Sequence, residues 1–309
     1  RSPIQLDIAL SEQPSSDQPQ TAGFIRSFDS TRGMEIIERG AAGSANVAIV
    51  GGLHGDEPAG ERIVRQLADA LPSTDEAAGE GTIRLIIANE RALAAGVRFT
   101  DTDLNRAFPG DPDSEEYERA LAPQIVEALD EMDAVLAIHT SHSVPPPFAI
   151  YSHSNESVRR TVTALGFDYV LDASGLRGTT LDSVVPTAVS VEVGKQGSEE
   201  AVTVGYECTL AFLRAHGALV DEPPTFAPVT IVEGIQEVPK GDGEPHVYYE
   251  NFQEIPDGEI FARDDSYTHR VDEAGLVPVL ASETGYDDIF GLYGRIAGTL
   301  EPPAGDTPD

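Results

Sequence analysis

The chain has 309 residues, 40% of them hydrophobic, enough for one large domain or a large and a small one around a packed core. Asp and Glu number 53 against 20 Lys and Arg, a formal net charge of -33 spread along the whole chain rather than gathered in a tail. That field works against nucleic acid and anionic membrane surfaces as partners, no apolar run of eighteen residues offers a membrane span, and the single Cys208 excludes an internal disulfide. Lys195 and Lys240 are the only lysines, so nearly all positive charge is arginine. Self-repulsion on this scale destabilises a compact state at low ionic strength and is screened over roughly 3 Å at 1 M salt. The composition therefore reads as adaptation to a salt-rich cytoplasm. The start RSPIQLDIAL has neither the basic beginning nor the apolar core of a signal peptide, which agrees with a cytoplasmic location.

Residues 1 to 43 show little periodicity, and the polar stretch at 11–20 suggests a long turn or loop. The run at 46–51 is a buried strand, and PAGERIVRQLADA at 58–70 has helical spacing in Ile63, Val64, Leu67 and Ala70. TIRLIIAN at 82–89 is a second strand. A helix-like stretch at 114–130 precedes AVLAIHT, a third strand with His139 near its end. TAVSVEVG is a fourth, with Glu192 and Gly194 at its end, before a helix from about 198 to 216 that carries Cys208 as a small buried side chain. Strands alternating with helices predict an α/β fold, a largely parallel or mixed sheet with helices on both faces. After Ala218, VDEPPTFAP reads as a linker, and 229–300 is rich in short β-like runs: PVTIVEGIQEV, HVYYE, GEIFA and LVPVLAS. The expected division is a catalytic unit at 1–218 and a smaller β-rich one at 219–309.

Chemistry collects at the strand ends. In IVGGLHGDEPAG two glycines allow a sharp turn, and His54 and Glu57 follow, three residues apart, before a Pro58 that can open a helix. With His139 they make two imidazoles and one carboxylate, the composition of a catalytic zinc site that keeps one position open. Taken singly, each is more often a satisfied polar group at the end of an apolar strand. His142 is a spare imidazole in the same loop, while His153, His216, His246 and His269 lack this setting. VRFTDTDLNRAFPG, 97–110, reads as a loop carrying Arg98, Asn105 and Arg106. Guanidinium forks bind carboxylates and stabilise oxyanions; the alternative is that these arginines pair with Asp101 and Asp103. Phe108 and Pro109 pack this loop down. Glu192, expected to be buried or half-buried, suits proton transfer between an activated water and a leaving amine, or else a structural pair with an arginine.

GGLHGDE, DLNRAFPG, the IHT strand end and VEVGKQG, in that order over residues 51–197, resemble the succinylglutamate desuccinylase and aspartoacylase family, related to the zinc carboxypeptidases. The resemblance implies a zinc-carboxypeptidase-like mixed sheet with a C-terminal β-rich domain. It implies one zinc ion per chain on His54, Glu57 and His139, with Glu192 as general base and acid and Arg98 polarising the scissile carbonyl. Asn105 and Arg106 would grip a substrate carboxylate, and Tyr286 in ASETGYDDIF resembles a family tyrosine that reaches the substrate, packing being its alternative role. The implied reaction is hydrolysis of a small N-acyl amino acid. A metallocarboxypeptidase acting on peptides and a non-catalytic metal- or ligand-binding scaffold are the competing readings, and a homo-oligomer is left open. One departure concerns substrate: aspartoacylases carry a further arginine shortly before the acid-base Glu, whereas here Arg177 lies well upstream and Asp182 stands nearer the expected place. An Asp there would repel a second carboxylate and favour an ammonium group.

Overall fold

The structure is a computed structural model that describes residues 33–143, 145–176 and 178–304. The loop expected at 11–20 and Arg177 lie outside these residues. In chain order the elements are β1 (Glu35–Gly40), β2 (Val47–Gly51), α1 (Pro58–Ala70), β3 (Thr82–Ile87), α2 (Glu90–Ala95), a 3-10 turn (Leu104–Arg106), α3 (Tyr117–Ala128), β4 (Ala134–Ser141), β5 (Phe148–Tyr151), α4 (Glu156–Ala164) and β6 (Tyr169–Asp172). There follow α5 (Leu181–Val184), β7 (Ala188–Lys195), α6 (Glu199–Ala215), β8 (Val229–Pro239), β9 (His246–Val247), β10 (Ile260–Arg263), β11 (Thr268–Arg270), β12 (Leu276–Val279) and β13 (Ile289–Leu300).

Ten strands form one sheet in the order β1-β3-β2-β4-β7-β5-β6-β8-β13-β12. Strands β3, β2, β4 and β7 run parallel, which brings their carboxyl ends to one edge, while β5 runs antiparallel to β7. The sheet is thus mixed, with helices on both faces, as the strand-helix alternation predicts. A strand's side chains alternate between faces, and the core records it. Val47 and Ile49 of β2, Leu136 and Ile138 of β4, and Val189 and Val191 of β7 join one cluster with Ile63 and Leu67 of α1, Val162 of α4 and Phe212 of α6. Ala48, Val50, Val135 and Ala137 join another with Leu121 and Ile125 of α3 and Leu181 of α5. Each fully buried Leu or Ile contributes roughly 2 kcal/mol, so both helical layers are held by the sheet itself.

The turn after β2 shows why two glycines stand there. Gly52 has φ +68, a left-handed conformation that favours glycine. Gly51 has a different reason: a Cβ there would come within 2.3 Å of the Gly60 carbonyl oxygen, so glycine lets α1 sit against the strand end. Pro58 occupies the first turn of α1, where a missing N–H is no loss, and Glu57 before it makes no capping bond, which leaves its carboxylate available.

Past residue 218 the chain adds β8 to β6 in parallel and β13 to β8 antiparallel, extending the same sheet, and β9, β10 and β11 form a small separate one. The two longest strands, β8 and β13, lie in the region read as short runs. Register shifts between Ile289 and Gly291, Tyr293 and Gly294, and Ile296 and Gly298 break the period-two pattern of β13 and hide its length in the sequence. Strands β1, β5 and β6 and helix α4 likewise show no clear pattern: the strands are four to six residues long.

Candidate metal centre and its pocket

His54 and Glu57 follow the end of β2, and His139 and Glu192 lie directly opposite each other on the neighbouring parallel strands β4 and β7. By alternation both point to the α3 and α5 side of the sheet, beyond the helices that cover it. His54 Nδ1 lies 2.7 Å from Glu57 Oε1, and His139 Nδ1 lies 3.4 Å from Glu57 Oε2. One donor atom from each of the three residues can be chosen so that all lie within 4.8 Å of one another, and all three residues are buried. The Thr140 backbone N–H donates to Glu57 Oε2 at 2.8 Å, and His54 Nε2 sits 3.1 Å from Asp103 Oδ1. A carboxylate on one ring nitrogen holds the proton there and leaves the other nitrogen as the lone-pair donor. His54 Nδ1, His139 and the Glu57 carboxylate therefore fit a divalent cation of the zinc type, whose preferred donors are imidazole and carboxylate.

Without a cation these groups compensate one another. Burial by itself would lower the His54 imidazole, but the Glu57 carboxylate and the bond to Asp103 outweigh it and raise His54 to about 9. Glu57, which burial alone would raise, is driven well below the usual carboxylate range by His54 and His139. Glu192 is 8% exposed and its Oε2 has no hydrogen-bond partner among the described residues. Burial, reinforced by the negative charge of Glu57, pushes it up to about 8, in range for a group that takes and returns a proton near neutrality.

The loop 97–110 closes one side. Arg98 donates from Nε to Asp103 Oδ2 at 3.0 Å and reaches Glu57 Oε1 at 3.4 Å, so it does pair with Asp103, yet does so at the metal group. Asp101 instead accepts the Tyr117 backbone N–H. The Asn105 side-chain oxygen accepts the Leu181 N–H at the start of α5, and Arg106 donates to the Asn105 carbonyl. Phe108 is fully buried and packs the loop down. The loop's anchor has no signal in the sequence. Glu118, wholly buried near the start of α3, accepts the Thr100 hydroxyl and the backbone N–H groups of Thr100, Asp101 and Thr102, at 2.6–3.1 Å. Asp103 was visible only as a partner for arginines; its contact with His54 needs the fold.

Beside the loop lies a cavity of about 1020 Å³, counted out to its open mouth. His54, Glu57, His139, Glu192, Arg98, Asn105 and Arg106 all face it, and so do His142 and Gln196. His142 lies outside the His54–Glu57–His139 group. The C-terminal strands and their loop supply the far wall: Leu280, Gly285, Tyr286, Ile289 and Leu292. Lys240, one of two lysines, donates to the carbonyls of Tyr286 and Glu283 and ties that loop down. Burial, with the charge of Glu192, holds the Tyr286 hydroxyl well above its ordinary value, so it is neutral and able to donate. Asp182 lines the floor, 3% exposed, with Ser190 beside it.

Comparison with known proteins gives the family and the fold. A model of the succinylglutamate desuccinylase/aspartoacylase catalytic domain matches residues 44–214. The N-alpha-acetyl-L-2,4-diaminobutyric acid deacetylase of Halomonas elongata is 28% identical over 250 residues, 74% of this chain and 65% of the relative, so the match spans just under two thirds of that protein. Among solved structures, a succinylglutamate desuccinylase/aspartoacylase from Rhodobacter sphaeroides superposes with a TM-score of 0.65 at 19% identity, covering 87% of this chain and 89% of the other. Murine aminoacylase 3 does so with a TM-score of 0.65 at 20% identity, covering 83% and 97%. At such identities the two structures speak for the fold.

Proposed function

The chain belongs to the succinylglutamate desuccinylase/aspartoacylase family, and from that premise we propose that it hydrolyses the amide bond of a small N-acyl amino acid with the help of one zinc ion. The observation that carries the reading is the juxtaposition of a buried His54–Glu57–His139 donor set with the buried Glu192 opposite His139 in one pocket. The Halomonas relative bears the name of a deacetylase acting on an N-acetylated diamino acid, which supports the same reaction class.

His54, Glu57 and His139 would hold the zinc, with Asp103 fixing His54 and the Thr140 N–H fixing Glu57. When bound, the ion supplies Lewis acidity to the scissile carbonyl and to a water molecule. Glu192 takes a proton from the attacking water and delivers it to the amide nitrogen, so one water is consumed and a carboxylate and an amine are released. Arg98 stabilises the oxygen on which negative charge develops. Asn105 and Arg106 hold the substrate carboxylate, and the Tyr286 hydroxyl donates to the substrate from the opposite wall. Residues 1–218 carry the chemistry and 219–309 cover it. That cover limits substrate size and disfavours a peptide groove.

The test is amine release from a panel of N-acyl amino acids and short peptides in molar KCl, with zinc-loaded and chelated protein side by side. Zinc-dependent release from an N-acyl amino acid is expected; cleavage of peptides alone would overturn the reading in favour of a carboxypeptidase.

A further inference from the structure

The pocket is lined by an arginine and an aspartate that make no salt bridge among the described residues. Among the described residues Arg106 makes no salt bridge: its side-chain bond is to the Asn105 carbonyl oxygen, 2.8 Å away. Asp182 is the reverse case. It is 3% exposed, lines the cavity, and makes no salt bridge among the described residues. Its partners are hydroxyls: Ser152 donates to Oδ2 at 2.6 Å and Ser190 to Oδ1 at 3.2 Å. A carboxylate offers about four lone-pair sites, and the two serines leave the rest unused.

A buried carboxylate without a counter-charge is unfavourable, because hydroxyl dipoles replace only part of its lost hydration. A ligand cation removes that penalty. The position suits a side-chain pocket. Ser190 lies two residues before Glu192 on the same face of β7, about 6.6 Å along the strand, and Ile150 of β5 lies opposite it in the ladder. Ile150, Leu171 and Leu176 supply apolar wall near this floor, suited to methylene groups.

We propose that Asp182, clamped by Ser152 and Ser190, is the specificity-determining residue of this site and binds a terminal ammonium group, so that the substrate is an N-acyl diamino acid with its carboxylate on Arg106. The inference rests on the deacylase reading for the substrate's orientation. If Asp182 only pinned α5 to the sheet, the same serine bonds would exist but no preference for charge would follow.

The test uses the intact protein in molar KCl, where a buried pair is screened far less than a surface one. Calorimetry compares free amino acids of matched length ending in ammonium, methyl or carboxylate, with the ammonium series running from one to four methylenes. Release of amine from the Nα-acetyl form of each is measured in parallel. The expected result is binding at least about 30-fold tighter for one ammonium ligand than for its methyl isostere, since a site built for a polar group rejects the analogue that lacks it. In Asp182→Asn that ratio falls to within about threefold of unity, and in Ser152→Ala, which loosens the carboxylate, it falls by about tenfold. Equal binding of ammonium and methyl ligands by the wild type overturns the proposal even if Asp182→Asn does not fold. So does a ratio unchanged in Asp182→Asn, or tightest binding of the carboxylate ligand. Hydrolysis without charge preference sinks this proposal and leaves the deacylase reading intact; ammonium-selective binding without hydrolysis does the opposite.

Discussion

Strands β4 and β7 present two faces made from alternate residues of the same few turns of sequence. Toward α1, α4 and α6 they bury Leu136, Ile138, Val189 and Val191; toward α3 and α5 they bury His139, Ser190 and Glu192. A histidine near each face shows the difference. His216, after α6, bonds to Thr161 at 2.8 Å, and burial, aided by the charge of Arg160, pushes it down to about 4. His54 is more deeply buried than the half-buried His216, but the Glu57 carboxylate and Asp103 reverse the effect of burial and raise it to about 9. Burial alone keeps a histidine neutral; only a nearby carboxylate turns a buried site into one where charge is stored. The apolar face holds the fold, and the other face uses that rigidity to keep charged groups close together.

The sharpest way to separate the faces is Glu192→Gln. Turnover is expected to fall by about a thousandfold, within the usual range for losing a general acid-base group, while metal content measured on the purified variant stays at the wild-type level. Loss of metal together with turnover would mean that Glu192 is part of the metal-holding scaffold. Next in size is Glu118→Ala, which strips the 98–106 loop of the carboxylate that accepts its backbone N–H groups. Stability in urea should drop by about 3 kcal/mol, and KM should rise at temperatures where the variant remains folded. An unchanged KM would show that the loop positions itself.

On the apolar face the prediction is a pH effect. The folded-state value of His216 lies below that of the unfolded chain, about 4 against about 6.5, so the unfolded state binds more protons between them. The stability His216 contributes as a neutral group is therefore complete above about pH 6.5 and lost as pH falls through that window. Relative to His216→Gln, the wild type should lose on the order of 2–3 kcal/mol between pH 7 and 4, read from denaturant unfolding at each pH. Parallel curves would show that His216 is solvated in the native state. The smallest effect expected is that of Asp103→Asn: metal affinity weaker by about 10- to 100-fold through loss of the group that orients His54, measured by competition with a chelator. No change would place the orientation of His54 on Glu57 alone.

Much of the parallel half of the fold is written in the chain. Strands 46–51 and 82–89 and helices 58–70 and 198–216 stand out because continuous apolar runs and helical spacing are local signals, and His54, Glu57, His139 and Glu192 mark the ends of such runs. Arg98, Asn105 and Arg106 share one quotable loop. Harder to see were β1, β5 and β6, too short for a period, and β13, whose glycine-marked register shifts erase alternation. Glu118 gave no signal at all, since an acid in the first turn of a helix is an ordinary sight and its partners sit 16 to 18 residues away.

The sequence by itself determined the residue types available for the chemistry, the strands that end on them and the large negative charge, because these depend on composition and on neighbours along the chain. Only the tertiary structure decided that Asp103 lies on His54, that Glu118 carries the arginine loop, that Tyr286 reaches the pocket from strands added to the far side of the sheet, and that Asp182 is buried between two serines. Those relations cross from 8 to 49 residues or more of chain, and only close packing of the sheet and its helices specifies such distances.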